Sequence, residues 1–88
     1  MTRREARAVR TTFKQVQAIL HTDWDPIGCG VPLDEYDSYA WPVLELLQNG
    51  APRREIEILL RWAAEEAMQC PVPAEHLASV VDRLLALD

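Results

Sequence analysis

Apolar residues recur at spacings of three and four along most of this chain, and that pattern limits what the chain can fold into. Such spacing places apolar side chains on one face of an α-helix, where they can face a core. No segment alternates polar and apolar residues, so strands are not expected. The connections after the first loop are short, which makes successive helices antiparallel neighbours. The pattern predicts an all-α fold: a compact four-helix bundle that forms a single domain over residues 1–88.

The predicted first, third and fourth helices cover residues 3–21, 52–70 and 74–87, respectively. Thr2 and Glu5 have the spacing of a capping box at the start of helix 1. Helix 3 is expected to begin with proline at its first position, where the missing N–H has no cost. The side chains expected to face the core are, in chain order, Ala6, Val9, Phe13, Val16, Leu20, Tyr36, Ala40, Val43, Leu47, Ile56, Leu59, Leu60, Ala63, Ala67, Leu77, Val80, Val81, Leu84 and Leu85.

The start of helix 2 is open between two positions. If Asp37 or Ser38 caps the helix, Pro42 lies in the first turn, where it costs no backbone hydrogen bond. If Asp34 caps it, Pro42 lies inside the helix and should kink it. We favour a short turn over residues 34–37 that leads into the main helix.

Residues 21–41 form one long irregular connection between helices 1 and 2. The stretch holds two of the three Trp, both Tyr and five acidic residues, with no Lys or Arg. A loop of this length in a small domain carries function more often than it serves as a spacer. We expect Trp24 and Tyr36 to be buried and Tyr39 or Trp41 to be partly exposed, since one helix face cannot bury all four.

Charge is distributed unevenly along the chain. Residues 1–20 carry a net charge of +4 and the remainder carries −9, which together give −5. An uneven distribution orients charged partners, whereas a mostly negative surface repels a phosphate backbone. We therefore expect no nucleic acid as ligand, and no apolar run is long enough to predict a membrane span. A basic row lies on one face of helix 1 and is interpreted as a solvated face; it consists of Arg3, Arg7, Arg10 and Lys14.

The basic start of the chain and its two cysteines bear on localisation. No apolar region follows residues 1–10, so we interpret them as part of helix 1, with an Arg-rich transit peptide as the alternative. Cys29 and Cys70 belong to no Cys-x-x-Cys pair, and this usage is typical of a reducing cytoplasm. Free, partly buried thiols are expected, with a disulfide between the two as the alternative.

Residues 23–34 partly match a calcium-binding loop, with acids at positions 1, 3 and 12 and glycine at position 6. However, Ile27 stands at a position where calcium needs an oxygen ligand, and Asp34 stands where a bidentate Glu is usual. Four other residues are of zinc-binding type, but their spacings match no familiar ligand pattern; they are His21, Cys29, Cys70 and His76. We expect no metal and no cofactor.

Two motifs in the irregular stretch suggest a family. They read Trp24-Asp25-Pro26-Ile27-Gly28 and Asp34-Glu35-Tyr36-Asp37-Ser38-Tyr39. The chain resembles small bacterial helical proteins of unknown function that carry both motifs, and the likeness extends from residue 24 to about residue 70. The resemblance implies a compact helical fold and a bacterial, cytoplasmic setting, but no activity, cofactor or catalytic residue. Cys29 and Pro52 depart from the residues that are common at these positions in such proteins.

These observations predict a non-enzymatic acidic module that binds a basic partner protein. An immunity or antitoxin-type protein that covers the basic active site of a toxin is the most concrete version. The residues expected to contact the partner are Asp23, Asp25, Asp34, Glu35, Tyr39 and Trp41. The alternative is a small enzyme or metal-dependent protein that uses four of these carboxylates, namely Asp23, Asp25, Asp34 and Glu35.

Overall fold

A computed structural model describes residues 2–87 of the chain. Its four α-helices are α1 (Arg3–Ile19), α2 (Asp37–Gln48), α3 (Arg53–Trp62) and α4 (Ala74–Leu85). Two of them continue into a π-helical turn, α1 into Leu20–Trp24 and α3 into Ala63–Ala67. Within the described range no residue lies in a strand.

The helices pack in a ring. Each helix contacts the next one along the chain. The ring closes because α4 contacts α1 and the π-helical turn at the end of α1. Arg53 links α3 to α4 because its guanidinium donates to the Asp82 carboxylate on α4. It also donates to the Glu57 carboxylate on its own helix, at 2.7 Å. The predicted all-α four-helix bundle with a long loop between its first two helices is confirmed.

The start of α1 has the predicted capping box. The Thr2 hydroxyl accepts a hydrogen bond from the Glu5 backbone N–H at 3.1 Å, and the Glu5 carboxylate accepts one from the Thr2 N–H at 3.2 Å. Two of the free N–H groups at this helix end are thereby satisfied by residues three apart in sequence.

The core contains only apolar and aromatic side chains among the described residues. Its buried members are Val16, Leu20, Trp24, Tyr36, Ala40, Val43, Leu44, Ile56, Leu60, Ala63, Ala64, Leu77, Val80, Val81 and Leu84. Phe13, Leu47 and Leu59 are half-buried against this core, as residues at the edge of a helical stripe should be. No charged side chain is buried there, so hydrophobic burial is the main source of stability.

Two residues expected in the core are exposed. Ala67 lies at the end of the π-helical turn after α3, where a π turn takes more residues than an α turn and so rotates later side chains off the stripe. Ala64 is buried in that turn instead. Leu85 lies at the edge of the α4 stripe in the last turn, and 42% of it is exposed.

The N-terminus of α2 lacks the side-chain cap that was expected. The helix begins at Asp37, after a turn over residues 33–36, and neither Asp37 nor Ser38 caps it. The Asp37 carboxylate instead accepts a hydrogen bond from Gln17 Nε2 at 2.9 Å, so it is engaged by α1. Pro42 consequently lies inside the helix, beyond the first turn. The carbonyl that its missing N–H leaves free belongs to Ser38, which is exposed and can be hydrated.

Four other predicted boundaries were wrong by a few residues. Helix 1 does not end near residue 21 but continues as a π-helical turn to Trp24. Pro52 has extended backbone and precedes α3, whose first residue is Arg53. The helical backbone after α3 ends at Ala67 rather than near Cys70, and α4 ends at Leu85 rather than at residue 87.

Candidate protein-interaction surface

The long loop is held to the bundle by two buried aromatic side chains. Trp24 is fully buried, and its ring packs edge-on against Tyr36, with 5.2 Å between the ring centroids. Tyr39 approaches the same indole with a centroid distance of 6.0 Å. Trp24 is the last residue of the π-helical turn and Tyr36 is the last residue before α2, so the pair fastens both ends of the loop. The prediction that Trp24 and Tyr36 are buried is confirmed.

The hydroxyl of Tyr36 organises the loop backbone above this pair. It donates to Asp25 Oδ1 at 2.6 Å and accepts from the Ile27 backbone N–H at 3.2 Å. The same Asp25 oxygen accepts the Gly28 N–H at 3.1 Å, which closes a tight turn. Asp25 and Gly28 both have left-handed backbone, a conformation that glycine adopts without strain and aspartate more readily than most residues. Residues 25–28 are therefore fixed by their own polar contacts.

Burial raises the pKa of Tyr36 from 10.0 to about 12, and its hydrogen bond to Asp25 acts in the same direction. Below pH 10 the phenol is protonated in both the folded and the unfolded chain, so its contribution to the free energy of unfolding is present in full. Between pH 10 and 12 the unfolded chain loses this proton while the folded chain keeps it, so the free energy of unfolding should fall by about 3 kcal/mol in total. Urea unfolding followed by circular dichroism across this range would measure the fall.

Tyr36→Phe is the control for that titration, because it keeps the ring and removes the ionisable group. The variant should be less stable than the wild type at neutral pH, since Asp25 and Ile27 each lose a hydrogen-bond partner. Its stability should then depend less on pH between 10 and 12. Equal pH dependence in the two proteins would contradict the assignment to Tyr36.

The next part of the loop turns outward at residues we name the acidic turn: Leu33, Asp34 and Glu35. The Glu35 N–H donates to the Pro32 carbonyl at 3.1 Å and the Asp37 N–H donates to the Asp34 carbonyl at 3.1 Å, so the backbone is ordered by its own bonds. All three side chains point to solvent, and 54% of Leu33 is exposed. His21 Nε2 donates to the Val31 carbonyl at 2.9 Å and so fixes the segment just before the turn.

The two acids of the acidic turn have no cation beside them within residues 2–87, unlike the three acids that lie next to an arginine. Asp82 and Glu57 pair with Arg53, and Asp23 lies 3.8 Å from Arg83. Within residues 2–87, Asp34 and Glu35 make neither an ion pair nor a side-chain hydrogen bond. Their charges therefore face solvent and remain available to a ligand.

The other predicted contact residues lie in different surroundings. Asp25 and Asp23 have partners inside the protein, the first in the Tyr36 network and the second beside Arg83. Tyr39 is half-buried, whereas 53% of Trp41 is exposed, which confirms that at least one of the two reaches solvent. Whether any of the six contacts a partner stays a prediction.

Trp41 belongs to a separate feature, which we name the cationic groove. Its ring stacks on Phe13 with 4.0 Å between the centroids, across the contact between α1 and α2. The two rings form the apolar wall of an open groove of about 380 Å³, whose lining residues are Arg10, Phe13, Lys14, Gln17 and Trp41. The sequence does not reveal the groove, because its apolar spacing places Phe13 in the core and its basic row indicates only a solvated face.

Leu33 was also missed, although its position carried a signal. It is a large apolar residue between Pro32 and two acids, in a stretch whose flanking residues are typical of turns. Because turn residues lie at the surface, a leucine there should be exposed.

Neither cysteine is in a disulfide, which agrees with the expected free thiols, although Cys29 is exposed rather than partly buried. Within the described residues, no three His, Cys, Asp or Glu side chains come together in a way that could hold a metal ion. Residues 2–87 also include no helix that is both long and apolar enough to cross a membrane. No protein-family model, curated protein or solved structure matches the chain, so the resemblance to the bacterial family stays a prediction.

Proposed function

We propose that this protein is a non-enzymatic binding module whose acidic turn docks on a basic partner protein. One observation carries the proposal: the exposed Leu33 lies in a turn whose backbone is ordered by its own hydrogen bonds, next to two acids. Neither acid has a cation beside it among the described residues. An apolar anchor next to unpaired charge of one sign is a feature of interfaces with a partner of the opposite charge.

The rigidity of the turn supports this role. Trp24 and Tyr36 anchor the loop in the core, and the Asp25 carboxylate ties down the backbone that follows the π-helical turn. A preorganised surface loses less conformational freedom on binding than a flexible loop does. The acids would accelerate encounter with a basic surface, and Leu33 would be covered once the complex forms.

The most concrete version of the proposal is an immunity or antitoxin-type protein that covers the basic active site of a toxin. The net charge of −5 favours a basic partner over nucleic acid. The two free thiols accord with a reducing compartment such as the cytoplasm. The enzyme or metal-dependent alternative has less support, because Asp23 and Asp25 have partners inside the protein while Asp34 and Glu35 face solvent.

Site-specific photo-crosslinking tests the docking surface. The probe is a photoreactive amino acid in place of Leu33, and the matched control places it at Ile58, an equally exposed apolar residue on α3. Irradiation in an extract of the cells that make the protein should capture a basic protein from position 33 and not from position 58. The proposal is contradicted if the two positions capture the same proteins, or if position 33 captures no basic protein, whether or not it also captures a second copy of this chain.

A further inference from the structure

The cationic groove lies beside a continuous row of positive charge. Arg3, Arg7, Arg10 and Lys14 are all exposed and lie on one side of α1. At the rise of an α-helix they cover roughly 16 Å. Arg10 and Lys14 line the groove itself, next to the stacked rings of Phe13 and Trp41. The groove therefore offers an apolar wall together with two cations.

The acidic turn carries the complementary set of groups. It has one exposed apolar side chain, Leu33, followed by the two carboxylates of Asp34 and Glu35. The same chain thus carries both an apolar anchor with two acids and an apolar groove with two cations.

Gln17 connects the cationic groove to the segment that carries the acidic turn. Gln17 lines the groove and donates to the Asp37 carboxylate at 2.9 Å. Asp37 begins α2 and follows the turn over residues 33–36 directly. The acidic turn is therefore located near the Gln17 end of the groove.

We propose that the cationic groove receives the acidic turn of a second copy of this chain. Leu33 of each copy would pack against Phe13 and Trp41 of the other, and Asp34 and Glu35 would lie opposite Arg10 and Lys14. Because each copy supplies one groove and one turn, a two-fold dimer fills both grooves at once, which is the self-complementary arrangement of an isologous interface.

Such a dimer would cover the acidic turn. A basic partner would then have to displace one copy of the chain from the other, so self-association and partner binding would compete. The dimer nevertheless requires no foreign partner, and it is measured on the pure protein alone.

Charge reversal with mixing tests the pairing. One variant carries Arg10→Glu and Lys14→Glu, and the other carries Asp34→Lys and Glu35→Lys; all four positions are exposed, so folding should persist. In sedimentation at low salt, the wild type should approach twice its monomer mass of 10.0 kDa at millimolar concentration. Each variant alone should associate at least roughly tenfold more weakly, since like charges then face each other. An equimolar mixture should recover the dimer, because every groove again meets a turn of opposite charge.

Two further variants complete the test. Trp41→Ala removes the exposed wall of the groove and should also weaken self-association. Glu65→Lys combined with Glu66→Lys makes the same change of charge on the exposed π-helical turn after α3, and should leave self-association unchanged. A wild type that stays monomeric at millimolar concentration overturns the proposal, as does a mixture of the two reversal variants that fails to associate. Loss of the dimer does not bear on the proposed function, because Arg10→Glu with Lys14→Glu leaves the acidic turn intact for a basic partner.

Discussion

Replacing Trp24 by alanine is expected to remove a large part of the stability of the protein. The side chain is fully buried, and removing a large aromatic side chain from a core costs about 3–5 kcal/mol. A domain of 88 residues has a total stability of about 4–13 kcal/mol. The substitution also detaches the loop, because Tyr36 and Tyr39 both pack on this indole. Urea unfolding followed by far-ultraviolet circular dichroism would measure the loss.

Trp24→Phe is the informative comparison. The indole Nε1 is buried without a hydrogen-bond partner in the described part of the chain, and an unsatisfied buried N–H costs about 1–3 kcal/mol. Phenylalanine loses some packing but removes this donor, so its net cost should be below about 2 kcal/mol. If alanine and phenylalanine destabilised the protein equally, the indole would not be acting as a core side chain.

Deleting residues 1–20 is expected to abolish cooperative folding. The deletion removes the fully buried Val16 and Leu20 together with the half-buried Phe13, at about 1.5–3 kcal/mol for each fully buried side chain. It also exposes the surfaces of α2 and α4 that contact α1. Thermal unfolding of the shortened chain should show no sharp transition.

A shorter deletion, of residues 1–8, is the matched control. None of the side chains that it removes within the described range is buried, although the Thr2 and Glu5 capping box is lost, at about 1 kcal/mol. This protein should still unfold cooperatively. A cooperative transition in the chain without residues 1–20 would mean that helix 1 is an appendage to the bundle.

The helices could be predicted because their causes are local. Apolar spacing, the Thr2 and Glu5 pair and the prolines before α3 and α4 act within a few residues of each other. The helix ends were less predictable because they depend on contacts distant in sequence. Gln17 engages Asp37 across twenty residues, so the residue expected to cap α2 is occupied elsewhere.

The two π-helical turns could not be predicted from the sequence either. Each contains an i→i+5 hydrogen bond that no residue preference signals, namely Asp25 N–H to the Leu20 carbonyl and Met68 N–H to the Ala63 carbonyl. The first turn brings Trp24 into line with Leu20 in the core, although the sequence placed Trp24 in the loop. Propensity and periodicity describe regular helices and therefore do not reveal these insertions.

The surface could be predicted in part. Composition alone indicated that the irregular stretch is acidic, and Asp34 and Glu35 are indeed exposed. The sequence could not separate these acids from Asp25, whose carboxylate the Tyr36 hydroxyl engages eleven residues away. Nor could it show that Trp41 lies beside Arg10 and Lys14, because that contact depends on how α2 packs on α1.

If the acidic turn steers and binds a basic protein, as proposed above, the rate of association with that protein should depend on Asp34 and Glu35. The probe is the purified basic protein captured at position 33, and the variant combines Asp34→Lys with Glu35→Lys. Its association rate at low salt should be at least roughly tenfold below that of the wild type, and the difference should shrink as salt screens the charges. Its stability should change by less than about 0.5 kcal/mol, because both side chains are exposed.

The matched control is Glu65→Lys with Glu66→Lys, which makes the same change in net charge away from the acidic turn. The association rate of this control should fall much less than that of the variant of the acidic turn. Equal association rates for the wild type and the Asp34→Lys, Glu35→Lys variant at low salt would show that the acidic turn does not steer the partner.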